Sequence, residues 1–149
     1  MAIDSAQPQP QPQPQPTRDL LDSLQVVIPV RNEQQTIAHV IGQLHQQGLR
    51  RIRVVDNGSS DGSALIAAEQ GAEVLREPQP GYGRACWRGC LQLDPGVRWL
   101  LFCDGDGSDP IEELPRFLPL LHDHDLLLGD RTATAVGRAA LTPLQQWGN

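Results

Sequence analysis

Residues 100–110 read Leu100-Leu101-Phe102-Cys103-Asp104-Gly105-Asp106-Gly107-Ser108-Asp109-Pro110. An apolar run breaks off into two carboxylates separated by a single glycine. Such a run is normally a buried strand, and its end delivers Asp104 and Asp106 to the rim of a sheet. Residues two apart on a strand project to the same side, so the two acids are expected to converge. Converging carboxylates with no Lys or Arg between them repel, and a hard divalent cation with oxygen ligands relieves that repulsion. Asp-Gly is also a common turn dipeptide, so the stretch alone leaves a plain tight turn open.

Upstream, strand-like and helix-like runs alternate. Leu24 to Val30 is β-branched and ends beyond a proline. Glu33 to Gln47 carries Ile37, Val40, Ile41 and Leu44, the i, i+3, i+4, i+7 stripe of an amphipathic helix, closed by Gly48. A second short strand runs from Ile52 to Val55. Ser60 or Asp61 caps a helix that extends to about Gln70. Glu73 to Leu75 is a third strand, Gly83 to Leu93 a further helix, and Trp99 to Cys103 the fourth strand. Ile111 to Leu121 reads as a helix opened by Pro110 and made irregular by Pro115 and Pro119, with a last strand at Leu126 to Leu128. The alternation predicts an α/β fold, a mostly parallel sheet with helices on both faces. Right-handed crossovers put every strand's C-terminal end on one side, where ligands of such sheets bind. Three polar clusters fall there: Asn32-Glu33, Asp56 to Asp61, and Asp104 to Asp109.

The 149 residues suit one domain, with 39% hydrophobic and 20% charged residues. The net charge is −6 and every basic residue is Arg, an acidic balance that argues against a nucleic-acid binder. Cys86, Cys90 and Cys103 have no framework spacing, which fits reduced thiols in a cytoplasmic setting. No apolar stretch approaches the ~20 residues of a membrane span, and there is no secretory signal pattern. Five Gln-Pro pairs at residues 7–16 exclude helix and ladder, so residues 1–18 are expected to form a disordered or polyproline-II-like tail, with the folded domain over 19–149.

Five motifs occur in order: Ile28-Pro29-Val30-Arg31-Asn32-Glu33, Val54-Val55-Asp56-Asn57-Gly58-Ser59-Ser60-Asp61-Gly62, Gly81-Tyr82-Gly83-Arg84-Ala85, Asp104-Gly105-Asp106-Gly107-Ser108-Asp109-Pro110 and Leu128-Gly129-Asp130-Arg131. Together, over about residues 24–149, they resemble the family 2 glycosyltransferases of the GT-A fold. The similarity is to the branch of polyprenyl-phosphate glycosyltransferases, dolichyl-phosphate mannose synthase among them. It implies a nucleotide-diphosphate sugar as donor and Mg²⁺ or Mn²⁺ as cofactor, held in a DXD motif. Asp106 is then the direct metal ligand. Asp104 binds the metal through water or contacts the ribose, and Ser108 stands where relatives often place a Gln near the ion. Gly105 lets the diphosphate approach the backbone. Asp56 accepts a hydrogen bond from the base or ribose, and Pro29, Val30 and Glu33 complete the nucleoside wall. Glu33 also suits the first turn of a helix, and Asp61 suits a helix cap better than a ligand contact. Arg84 replaces the Lys common in the family and suits either a phosphate or the solvated surface. Arg131 matches an Arg near the donor diphosphate or acceptor phosphate.

The resemblance implies an inverting transfer, with a lipid-phosphate acceptor at a membrane surface and a place at its inner face. No residue is assigned as catalytic base. The family's acceptor half lies beyond Asn149, so the chain is expected to be the donor-binding half. The alternatives are a non-catalytic nucleotide- and metal-binding module and a dinucleotide-dependent oxidoreductase; the latter is disfavoured because Pro29-Val30-Arg31-Asn32 stands where a Gly-x-Gly-x-x-Gly would follow the first strand.

Overall fold

A computed structural model describes residues 17–130. Four strands, β1 (Leu24–Val30), β2 (Arg51–Asp56), β3 (Glu73–Arg76) and β4 (Trp99–Phe102), form one sheet in the order β3-β2-β1-β4. All three pairings are parallel. The helices are α1 (Arg18–Asp22), α2 (Ile37–Gln46), α3 (Ser63–Glu69), α4 (Tyr82–Gly89) and the single turn α5 (Leu114–Phe117). Short 3₁₀ segments at Ile111–Glu113 and Leu118–His122 flank α5, the irregularity expected from Pro115 and Pro119.

β1 is buried along all seven residues, as a central strand covered on both faces must be. Its two faces meet different partners. Leu24, Val26, Ile28 and Val30 pack with Ile37, Val40, Ile41 and Leu44 of α2, Ala67 of α3, Ile111 and Leu118. Each such fully buried aliphatic contributes roughly 1.5–3 kcal/mol relative to exposure. On the opposite face Val27 and Val55 meet Ala85 of α4 and half-buried Leu75. That second contact is close: a Cβ on Gly89 would lie 2.2 Å from Val27 Cγ1, so α4 sits on β1 at a distance only glycine permits. Arg53, paired in register with Val27, fixes the same end of α4. Its buried guanidinium donates to the carbonyls of Gly89 (2.9 Å), Leu91 (2.8 Å) and Gln92 (3.4 Å) and pairs with Glu73 (2.7 Å).

β4 pairs with β1 only from Leu24 to Val27, while β1 runs on to Val30 and stays paired with β2 as far as Asp56. Pro29 therefore has a ladder neighbour on one side only, which accommodates its missing N–H. The early departure of β4 also opens a gap at the C-terminal ends of β1 and β4. The strand order reverses there, since β2 and β3 lie on one side of β1 and β4 on the other. Ligands of open α/β sheets bind at such a reversal.

Several expectations are corrected. Among the described residues Leu126 to Leu128 forms no strand and has no sheet neighbour; Leu126 and Leu128 are exposed. The helix expected over Gly83 to Leu93 ends at Gly89, where Arg53 takes over the last carbonyls and Gln92 turns to φ 53°. α2 starts at Ile37, after a turn, rather than at Glu33. α1 was not anticipated; the Thr17 hydroxyl caps it by accepting from the Leu20 amide. The Gln-Pro tail up to residue 16 and the Thr142 to Asn149 stretch lie outside the described residues.

Candidate functional site

A cleft of about 410 Å³ lies at the strand ends. Pro29 and Val30 line it from the end of β1, Arg31 and Glu33 from the turn that follows, Asn57 from just beyond β2, Gly81, Tyr82 and Ala85 from the entry and first turn of α4, and Asp104, Gly105 and Asp106 from beyond β4.

The loops around the cleft are tied to one another by polar side chains. The Thr36 hydroxyl donates to the Gly105 carbonyl (2.8 Å), fastening the acidic loop to the start of α2. Asn32, at φ 61°, accepts from the Ser60 amide (2.8 Å), and its own amide donates to Ser59 Oγ (3.0 Å). The Glu33 amide donates to Ser63 Oγ (2.8 Å). The Asn57 side chain donates to the carbonyls of Glu77 (2.9 Å) and Gln79 (2.7 Å) and accepts from the Gly81 amide (2.8 Å), which sets where α4 begins.

Within the acidic loop, Asp104 and Asp106 are not extended strand residues. β4 ends at Phe102 and the chain turns at residues 105 and 106, so the turn brings both acids to the cleft. The Asp104 amide donates to Asp109 Oδ2 (2.7 Å), and the Asp104 carboxylate accepts from the Tyr82 hydroxyl (3.0 Å). Asp106 is exposed and accepts from the Ser108 amide (2.9 Å). Gly105 is buried: a Cβ there would meet Val30 Cγ2 at 3.0 Å. The missing side chain thus lets the loop press onto the end of β1.

Of the residues expected at the site, Pro29, Val30, Glu33, Asp104, Gly105 and Asp106 share the cleft wall. Asp56, Arg84 and Ser108 are not among its lining residues. Asp56 is buried and its carboxylate accepts from the Ser59 amide (3.1 Å). Arg84 is half exposed and lies 4.0 Å from Glu77. Arg131 lies outside the described residues. Glu33 precedes α2 by a turn, and its carboxylate sits 3.2 Å from the Thr36 hydroxyl, so it is no first-turn acid. Asp61 is not the cap expected of it: Gly62 is the N-cap of α3, and Asp61, one residue earlier, accepts from the Ser63 amide (3.0 Å) and the Gln34 amide (3.2 Å). Those bonds, with the Ser63 hydroxyl foremost, hold its carboxyl below the usual range.

Arg31, Asn57 and Tyr82 line the cleft without having been singled out. Burial, then the neighbouring Asp104 carboxylate, pushes the Tyr82 phenol well above its ordinary range, so it is a donor at neutral pH. Burial likewise keeps the Cys103 thiol protonated.

Glu33, Asp104 and Asp106 against Arg31 leave the wall with a formal charge of −3 + 1 = −2. Anions are repelled unless a cation comes with them. The described residues offer no cluster of three or more His, Cys, Asp or Glu side chains suited to a metal. Two carboxylates are the donors available, hard oxygens that fit Mg²⁺ or Mn²⁺ with the remaining positions filled by ligand phosphate and water.

The chain is similar to several known proteins. The chain is 33% identical over 129 residues to Glycosyltransferase AglJ of Haloferax volcanii, covering 86% of the chain and 42% of that protein. It is 34% identical over 136 residues to the Dolichyl-phosphate hexose transferase of the same organism, covering 89% of the chain and 58% of the relative. The chain spans about half the length of the curated relatives it matches. Among solved structures, mannosyl-3-phosphoglycerate synthase from Rubrobacter xylanophilus superposes with a TM-score of 0.62 at 26% identity, over 75% of this chain and 41% of that one. Glucosyl-3-phosphoglycerate synthase from Mycobacterium tuberculosis, in complex with Mn²⁺ and UDP-glucose, gives a TM-score of 0.61 at 25% identity, over 75% and 45% of the two chains. The model of the family described as Glycosyl transferase family 2 matches residues 25–147, and the chain belongs to that family.

Proposed function

We propose that this chain is the donor-binding part of a metal-dependent, inverting glycosyltransferase that takes a nucleotide-diphosphate sugar and transfers the sugar to a polyprenyl phosphate. The observation that carries the reading is the meeting of Asp104 and Asp106 with Pro29, Val30 and Glu33 on one cleft at the strand-order reversal. The solved relative bound to Mn²⁺ and UDP-glucose supports the donor class, and the relative named Dolichyl-phosphate hexose transferase supports the acceptor class.

Asp106 and Asp104 would hold the Mg²⁺ or Mn²⁺, which when bound supplies Lewis-acid neutralisation of the leaving diphosphate. Ser108 acts through its amide, which orients Asp106. Arg31, which also lines the cleft, offers the phosphates a cation. Pro29 and Val30 give the nucleoside an apolar surface, and Glu33 offers a carboxylate to its hydroxyls. Asn57 shapes the wall, because its amide is already committed to the loop before α4. Arg84 and Arg131 are candidate contacts to the donor diphosphate, and Arg131 alternatively to the acceptor phosphate.

In the transfer, an acceptor oxygen bonds to the anomeric carbon as the bond to the diphosphate oxygen breaks, on the opposite face, with inversion. A hydroxyl acceptor needs a base to remove its proton, whereas a lipid phosphate is already ionised at neutral pH. The phosphate reading therefore requires no base from this part of the chain. It also places the protein in the cytoplasm at the inner membrane face; no helix among the described residues is long and apolar enough to cross a membrane.

Calorimetry with UDP and GDP, with and without Mn²⁺, tests the reading. The expected result is metal-dependent binding that Asp106→Ala weakens by about tenfold or more. Binding that is indifferent to Mn²⁺ or survives Asp106→Ala overturns the metal assignment. Failure of both nucleotides to bind overturns the donor-site reading.

A further inference from the structure

We propose that Tyr82 is a positioning residue for Asp104, setting the carboxylate's orientation toward the metal–diphosphate group of the donor; this rests on the function proposed above. The phenol crosses from the start of α4 to the loop beyond β4, and its hydroxyl donates to Asp104 Oδ1 at 3.0 Å. Both residues line the cleft. The ring is 62% exposed, so it is not there to fill the core. Its starting point is nonetheless fixed, because Asn57 holds the Gly81 amide and thereby the residue before it.

From the other side, Asp109 holds the Asp104 amide. Asp104 thus has its backbone set from its own loop and its side chain set from α4. A hydrogen bond to a carboxylate is charge-assisted and directional. With Oδ1 accepting from the phenol, the side chain of Asp104 is held from α4 at the wall of the cleft. The metal or the donor then meets an acid already in place.

The test uses the full chain, Mn²⁺ and UDP. Mn²⁺ affinity in the presence of UDP is read by electron paramagnetic resonance of free Mn²⁺ and by calorimetry. Tyr82→Phe keeps the ring and removes the hydroxyl; it is expected to weaken Mn²⁺–UDP binding about five- to tenfold with Tm unchanged. In an Asp104→Ala background, which removes the acceptor, the same change is expected to be silent. The chain has a single tyrosine and three tryptophans, so the near-ultraviolet difference between a protein and its Tyr82→Phe variant isolates the Tyr82 band, and Asp104→Ala is expected to shift it without any ligand. Equal Mn²⁺–UDP affinity of wild type and Tyr82→Phe overturns the proposal, as does an equal loss in both backgrounds or an unmoved tyrosine band. If Tyr82→Phe lowers Tm, the comparison of the two backgrounds still decides. Absence of Mn²⁺–UDP binding by the wild type counts against the donor site itself, and the tyrosine band then tests the contact separately.

Discussion

Gly89→Ala tests whether the approach of α4 to the sheet governs the site. The added Cβ would lie 2.2 Å from Val27 Cγ1 and 3.2 Å from Cγ2. Ordinary carbon contacts are about 3.5–4.0 Å, so the surfaces must separate by more than 1 Å. Val27 is fully buried on the central strand and cannot yield. Overpacking of this kind costs about 3 kcal/mol at its upper end, and alanine returns about 1 kcal/mol of helix propensity over glycine. The net is a loss of about 2 kcal/mol. At roughly 4–5 °C per kcal/mol, Tm falls by about 8–10 °C in a calorimetric scan. Val27→Ala in the same chain makes room for the new methyl, so the double variant is expected to lose less than the sum of the two single changes. Displacement of α4 also carries Tyr82 and Ala85 away from the cleft, so Mn²⁺–UDP binding weakens in the single variant and recovers in the double. A Gly89→Ala protein as stable as wild type, or strict additivity with Val27→Ala, refutes the reasoning.

Two further outcomes are expected. Arg53→Met leaves the buried carbonyl of Gly89 and the half-buried carbonyl of Leu91 without their donor, and denaturant unfolding should show a loss of about 3 kcal/mol; Glu73 is half exposed and screened, so most of the loss belongs to the carbonyls. A loss below about 1 kcal/mol counts against this role. Asp61 has its carboxyl pKa lowered from 3.8 by the Ser63 hydroxyl and nearby amides, so its stabilisation is present above pH 3.8 and disappears as pH falls through the lower folded value. Acid unfolding of Asp61→Asn is therefore expected to be shallower than that of wild type below pH 3.8, and parallel curves would refute it.

Much of the fold was legible because β1 and α2 carry long periodic signals. The stripe Ile37, Val40, Ile41, Leu44 is the buried face of α2, and the parallel order follows from alternation with short connections. Leu126 to Leu128 failed for a physical reason: three apolar residues name no neighbour, and a strand exists only with one. α1 escaped notice because five residues are too short for a periodic signal. At the site, the acids at 104 and 106 were readable from the break between apolar and acidic sequence. Asn57, Tyr82 and Asp109 take their roles from partners on other loops or across a turn. The Tyr82–Asp104 bond spans 22 residues, and no local pattern encodes it. Asp56 shows the reverse: its position after two valines drew attention, yet its carboxylate serves the turn at Ser59.

The ties among Thr36, Asn32, Asn57 and their carbonyl and amide partners have an entropic consequence. A flexible, multiply charged molecule loses much of its own freedom on capture, and loops that had to be frozen at the same moment would add to that cost. Here the walls are already held before anything arrives, by bonds that draw nothing from the apolar layers beneath. Alterations on the rim can therefore adjust what is captured while the sheet and its helices remain as they are, whereas a change beneath α4, as at Gly89, reaches both.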